Sequence, residues 1–157
     1  MLTTLLKTAA IWFHMMATIV LVGHYLLTVL DTLPVLKKSL KAQDLFRMLS
    51  DLSSQVQPRI FASLGVFILS GIYLMLINPS YLGIGNFGNL WSALMLVKHL
   101  IVVGMIILAI QLNKTLKARL SDPNQAGAAL KRAERLIFAL SAGGILVILF
   151  TAIVQAQ

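Results

Sequence analysis

Long intervals without charged residues divide the chain. No Asp, Glu, Lys or Arg lies between Lys7 and Asp31, an interval of 23 residues. As one helix, such a stretch is long enough to cross a bilayer hydrocarbon core about 30 Å thick. It is also longer than the apolar core of a signal peptide, and it lacks a small-residue cleavage site. The pattern therefore predicts a first, retained transmembrane helix at about residues 8–30.

A second charge-free interval runs from Arg59 to Lys98, and its 38 residues are too many for a single crossing. Pro79 and repeated Asn and Gly residues interrupt it between residues 78 and 89, and such residues end helices. The interval therefore predicts two helices joined by a turn. With a last charge-free stretch, the predicted spans after the first are residues 59–78, 90–113 and 136–156.

These spans predict an all-α fold in which residues 1–157 form a single domain, a bundle of four transmembrane helices. Between the first two spans, residues 36–56 are amphipathic, with apolar residues at helical spacing and charges elsewhere on the turn. This segment is interpreted either as a helix lying in the membrane interface or as an extension of the second span, with Pro58 at the junction.

The composition supports a membrane protein and removes several classes of function. Hydrophobic residues make up 59% of the chain and charged residues 11%, whereas soluble proteins carry about a quarter charged residues. The chain contains no cysteine, which excludes a disulfide framework, an iron–sulfur cluster and a thiol nucleophile.

The net charge of +8 comes from basic residues that collect in the 31–59 and 114–135 connections, whereas the 79–89 connection has none. Short cytoplasmic loops are enriched in Lys and Arg. Both basic connections are therefore predicted to be cytoplasmic, with both termini on the outer, periplasmic side of the inner membrane. A lipid bilayer, and not nucleic acid, is the expected partner, and a thin bundle is compatible with a homodimer. The basic residues are Lys37, Lys38, Lys41, Arg47, Arg59, Lys114, Lys117, Arg119, Lys131, Arg132 and Arg135.

All three histidines of the chain, His14, His24 and His99, lie inside predicted spans, together with Lys98. An ionisable group at membrane depth costs a few kcal/mol unless it faces a partner, a cavity or a cofactor. We therefore expect the functional site at these residues. The alternative is that each histidine only hydrogen-bonds a neighbouring helix, as in a structural or assembly subunit without a cofactor.

His14 and His99 are predicted to lie at similar depth, because the first and third spans run in the same direction. Imidazoles at one depth can grip a planar cofactor from both faces. With no Cys and no Asp or Glu inside a span, the available ligands suit haem iron or copper better than calcium, magnesium or structural zinc. Two histidines and a deep apolar slot are the usual requirements of haem b.

Three further side chains inside predicted spans, Lys98, Met95 and His24, could take part in the site or in its support. Lys98 either snorkels to the interface or pairs with an anionic group such as a haem propionate. Met95 precedes His99 by four residues and shares its helix face, so a copper path through His14, Met15, Met95 and His99 is the alternative. His24 is expected to have a polar structural role, with Thr28 and Asp31 continuing a polar ladder from it. The alternatives are a ligand of a second cofactor and a proton-relay group.

Several short motifs resemble the copper resistance D superfamily, which includes copper-export membrane domains and HemJ-type protoporphyrinogen oxidases. The resemblance covers about residues 10–112. It implies a membrane protein of four or five helices that binds haem b, in which His14 and Lys98 match the required first-helix His and third-helix Lys. The chain departs from the HemJ-type pattern at residues 21–26. The motifs are Trp12-Phe13-His14, Phe46-Arg47, Pro58-Arg59, Ser70-Gly71-Ile72-Tyr73-Leu74 and Trp91 with Lys98 seven residues later.

The sequence thus predicts an inner-membrane haem b protein with His14 and His99 as axial ligands and Lys98 and Met95 beside the cofactor. Its work would be electron transfer or haem-dependent redox chemistry, and by resemblance Lys98 would be a catalytic residue acting on a porphyrinogen. Whether the chain is an enzyme stays open at this stage, as does its redox partner. Copper transport and a structural role without a cofactor are the alternatives.

Overall fold

The computed structural model describes residues 1–83, 85–86, 88–118 and 123–155, with the backbone only for 123, 124 and 155. Four residues used in the sequence analysis lie outside this part of the chain. They are Ile84 and Phe87 in the predicted turn, the basic residue Arg119, and Ala156 at the end of the last predicted span.

The described residues form an all-helical structure. Four of its helical stretches are long and apolar enough to cross a membrane, as predicted: Leu2–Ser39, Ala42–Leu76, Leu90–Lys117 and Gln125–Val154. The elements are α1 (Leu2–Leu27), a π-helical turn (Thr28–Thr32), α2 (Leu33–Ser39), α3 (Ala42–Leu76), α4 (Leu90–Lys117) and α5 (Pro123–Gln155).

Two prolines shape the first half of the chain in different ways. Pro34 lies in the first turn of α2, directly after the π-helical turn, where its ring and missing N–H disturb regular α-helical bonding least. Pro58 lies inside α3, which continues through it from Ala42 to Leu76. The amphipathic segment from residue 42 onward is therefore an extension of the second span, the second of the two interpretations given above.

Asparagine side chains organise the turn between α3 and α4. Asn78 Oδ1 accepts a hydrogen bond from the Ser80 N–H at 2.9 Å, and Asn89 Oδ1 caps α4 by accepting from the Ser92 N–H at 2.7 Å. Gly83 and Gly85 adopt positive φ angles of 97° and 82°, which glycine tolerates because it has no Cβ. The predicted break in the long apolar interval is thus present.

The helices form two pairs, because α1 packs on α3 and α4 packs on α5. Helix α5 also contacts α1 and α3, while α1 and α4 have no Cα–Cα distance of 8 Å or less among the described residues. Glycines allow the close approach of α5. A Cβ on Gly144 would lie 2.9 Å from Val22 Cγ1, and a Cβ on Gly143 would lie 2.9 Å from Met105 Cγ.

The two ends of the bundle are packed differently. We call residues 25–49, 105–116 and 129–140 the packed end, because the main cluster of buried apolar side chains lies there, with Leu45 and Leu140 each only 1% exposed. An ion pair of 2.8 Å between Lys37 and Glu134 lies at the same end. The cluster consists of Tyr25, Leu33, Leu45, Phe46, Leu49, Leu112, Leu116, Leu130, Ala133, Leu136, Ile137 and Leu140.

Candidate functional site

His14 is held by helix α3 through one ring nitrogen. Its Nδ1 lies 2.9 Å from Ser70 Oγ and 3.1 Å from the Phe67 carbonyl oxygen. Ser70 Oγ donates its own hydrogen to the Val66 carbonyl at 2.6 Å, so it accepts from His14. A carbonyl oxygen can only accept. Both contacts therefore place the proton on Nδ1 and leave Nε2 with a free lone pair.

The His14 ring also has a shaped seat on α3. It stacks on the Phe67 ring, with centroids 4.4 Å apart and an interplanar angle of 21°. A Cβ on Gly71 would lie 3.1 Å from His14 Cε1, which is tighter than an ordinary contact. Ser70 and Gly71, which sequence analysis noted only within a motif, thus position this imidazole directly.

His99 is oriented by its own helix. Its Nδ1 lies 2.6 Å from the carbonyl oxygen of Met95, one turn earlier in α4. Because the carbonyl only accepts, Nδ1 again carries the proton and Nε2 keeps its lone pair. Histidines that bind metals commonly donate their second ring N–H to a carbonyl in this way, which fixes the tautomer and the ring orientation.

One cavity of about 370 Å³ is lined by all four predicted site residues, His14, Met95, Lys98 and His99. Its walls come from α1, α3, α4 and α5, and it occupies the gap between α1 and α4. The volume lies within the range of roughly 300–1,000 Å³ typical of ligand pockets. We call this region the open end of the bundle. It comprises residue 14, residues 67–76 of α3 with Asn78 in the turn after it, residues 91–103 of α4 and residues 151–154 of α5.

Sequence analysis did not single out several residues of this cavity. Phe67 stacks on His14, Met75 adds a second thioether, and Asn78 adds an amide. Their positions depend on how α3 is rotated toward α4, for which the chain offers no charge or repeat as a signal. Trp91, known only from the motif comparison, also lines the cavity.

A second cavity of about 220 Å³ adjoins the first and shares Met75, Trp91, Met95 and His99 with it. Ser92 lines this second cavity, and its buried Oγ has no hydrogen-bond partner in the described part of the chain. His99 therefore lies where two cavities meet, near the turn that joins α3 to α4.

Two other predicted residues lie elsewhere. Met15 is 56% exposed and does not line the cavity of His14, so the thioethers available there are those of Met75 and Met95. His24 lines a different cavity. The Thr28 hydroxyl donates to the His24 backbone carbonyl at 2.7 Å, and Asp31 is exposed, so the expected polar ladder from the His24 ring is not formed.

The donor set restricts what the cavity can hold. No group of three or more His, Cys, Asp or Glu residues that could enclose a metal ion occurs within the described residues. The site thus offers two imidazoles, two thioethers and one ammonium group in a largely apolar chamber. Such a set suits an axial pair of ligands or a soft metal ion, and it does not suit a closed structural zinc or calcium site.

The fold and this cavity together indicate a multi-pass helical membrane protein with a two-histidine chamber between its first and third long helices. Comparisons of the chain with known protein families, with curated proteins and with solved structures find no match.

Proposed function

We propose that the chain is an integral membrane haem b protein in which His14 of α1 and His99 of α4 are the axial ligands. One observation carries this proposal. Two imidazoles from helices whose backbones stay apart line the same cavity, and each has its Nδ1 hydrogen-bonded so that Nε2 is free to bind a metal. This is the tautomer and support that metal-binding histidines require.

The remaining lining residues fit the same group. The walls are mainly apolar, as a porphyrin ring requires. Lys98 supplies a cation that can pair with a propionate, and the adjoining cavity around Ser92 gives further space beside His99. When bound, the haem would supply one-electron chemistry. The chain's own residues would hold it and orient both ligands.

The proposed placement has both termini on the periplasmic side of the inner membrane. Support comes from the antiparallel order of the long helices, which brings both basic connections to the end that holds the buried apolar cluster. The turn between α3 and α4, which has no basic residue, lies at the open end. The haem would then lie in the periplasmic half of the bilayer.

Copper transport is the second candidate, and the thioethers favour it. Met75 and Met95 line the same cavity as His14 and His99. Imidazole and thioether ligands together suit monovalent copper. On this proposal the four side chains bind the ion transiently, and the protein carries no pigment.

The visible spectrum of protein purified from haem-replete cells separates these functions. A Soret band with sharp α and β bands on reduction is expected, and His14→Ala and His99→Ala should each abolish or shift these bands. His24→Ala is the matched control, because it removes an intramembrane imidazole from a different cavity, and it should retain the spectrum.

One outcome would contradict the haem proposal, and another would contradict its choice of ligands. A colourless preparation would overturn the proposal, and stoichiometric copper in that preparation would favour the second candidate. Loss of the pigment in His24→Ala, with both other variants still coloured, would show that the ligands are wrongly assigned.

A further inference from the structure

The cavity lined by His24 is a polar chamber distinct from the two-histidine cavity, with which it shares only the lining residue Ile106. It has a volume of about 100 Å³ and is lined by His24 of α1, Ser53 and Gln57 of α3 and Asn113 of α4. Ser53 and Gln57 are one helical turn apart, so both face the same space. Three helices thus direct hydrogen-bonding side chains into one chamber.

These side chains have no partners among the described residues of the chain. Neither the His24 ring nor the amides of Gln57 and Asn113 make a hydrogen bond there, while the nearby Thr28 hydroxyl is used by the His24 backbone carbonyl. Polar groups in a lipid-embedded bundle are costly when unsatisfied. A ligand in the chamber that can hydrogen-bond would satisfy these half-buried groups.

The uncharged lining and the size of the chamber restrict the kind of ligand that it can bind. No Asp, Glu, Lys or Arg lines it, so a neutral ligand fits better than a phosphate, a carboxylate or a metal cation. An apolar slot of about 70 Å³ adjoins it, sharing Tyr25, Ile60 and Leu64. Together the two spaces, of about 100 Å³ and about 70 Å³, slightly exceed the roughly 150 Å³ of a cavity that holds a benzene ring.

We propose that this chamber binds the headgroup of a lipid-soluble quinone. The amide N–H groups of Gln57 and Asn113 donate to the quinone carbonyl oxygens, and the apolar slot receives the ring edge and the start of the tail. A neutral ring with two acceptors and a hydrocarbon chain matches the uncharged lining, the amide donors and the adjoining apolar slot. The site does not depend on haem at the open end.

Photolabelling of the full-length protein in nanodiscs tests this proposal. A photoreactive short-chain ubiquinone should label peptides containing Tyr25, Gln57 or Asn113, and excess unlabelled ubiquinone should suppress that labelling. In a Gln57→Leu/Asn113→Leu variant, suppression should need about tenfold more unlabelled quinone, because two hydrogen bonds are lost. Gln55→Leu is the matched control, since Gln55 is exposed on the same helix, and it should behave as the unmodified protein.

The circular dichroism spectrum of each variant checks that the helices are retained. Labelling that is spread over exposed residues and is not suppressed by unlabelled quinone would overturn the proposal. It would indicate that the chamber holds only water. Suppression that is equal in the double variant and in Gln55→Leu would overturn it as well. Because the readout is the site of labelling, a colourless protein with suppressible labelling would contradict the haem proposal only.

Discussion

The two ends of the bundle contrast in what they bury. At the packed end the buried residues are large and apolar, with Leu45 and Leu140 each 1% exposed. At the open end, the buried residues of the described chain are Ser70 and Ser92. One end thus holds the helices together by close packing, while the other leaves a chamber where ionisable residues meet.

The packed end contributes most to stability, whereas the open end provides the space for a ligand. A chamber of about 370 Å³ between α1 and α4 forfeits the dispersion contacts that a filled interior would provide. The apolar cluster at the other end, with the glycine contacts of α5, offsets that loss. Substitutions at the two ends should therefore have different kinds of effect.

The largest expected effect is at the packed end. Leu45→Ala removes a side chain that is 1% exposed, so the free energy of unfolding should fall by about 2–5 kcal/mol because a cavity remains. Leu69→Ala is the matched control on the same helix, since Leu69 is 72% exposed, and it should change stability by less than about 0.5 kcal/mol. Thermal unfolding in detergent, followed by circular dichroism, measures both. Equal losses would show that packing is not concentrated at this end.

A second, smaller effect concerns the seam between the helix pairs. Gly144→Ala places a Cβ 2.9 Å from Val22 Cγ1, and since valine is stiff at χ1 the variant should lose about 1–3 kcal/mol. Gly104→Ala meets nothing within 4 Å and should be neutral or gain up to about 1 kcal/mol from helix propensity. The same unfolding measurement applies. A stable Gly144→Ala protein would mean that α5 can move away from α1 freely.

The smallest effect on stability, with the clearest effect on the site, is expected at the open end. Ser70→Ala removes the hydroxyl that accepts from His14 Nδ1 at 2.9 Å, while the Phe67 carbonyl remains as an acceptor. Stability should fall by about 0.5–1.5 kcal/mol. If His14 is an axial ligand, the reduction potential should shift as well, because second-shell hydrogen bonds tune the ligand. Redox titration monitored by visible absorbance measures the shift.

Ser63→Ala controls for the loss of a hydroxyl on the same helix. Ser63 does not line the two-histidine cavity, so both stability and potential should stay close to those of the unmodified protein. A potential that moves equally in the two variants would contradict the role assigned to Ser70.

Several features were predictable from the chain alone because they depend on length and solvation. The four membrane-length helices follow from charge-free intervals, and the turn after α3 follows from Asn, Pro and Gly. Counting residues along two parallel spans was enough to expect His14 and His99 at one depth. The orientation of the termini, the haem and the copper alternative stay predictions.

Other features depend on helix rotation and pairing, which hydropathy does not encode. The gap between α1 and α4 arises from which helices pair. The seat of His14 on Phe67, Ser70 and Gly71 arises from the face that α3 turns toward α1. The passage of α3 through Pro58 does not follow from the sequence either, because proline ends some helices and only kinks others.

The separation of α1 from α4 also bears on how a molecule bound between His14 and His99 would be held. His14 belongs to one helix pair and His99 to the other, and α5 contacts both pairs. A small tilt of α4 against α1 changes the span between the two imidazoles while each keeps its own carbonyl partner. A molecule bound between the two imidazoles would therefore set the angle between the two helix pairs.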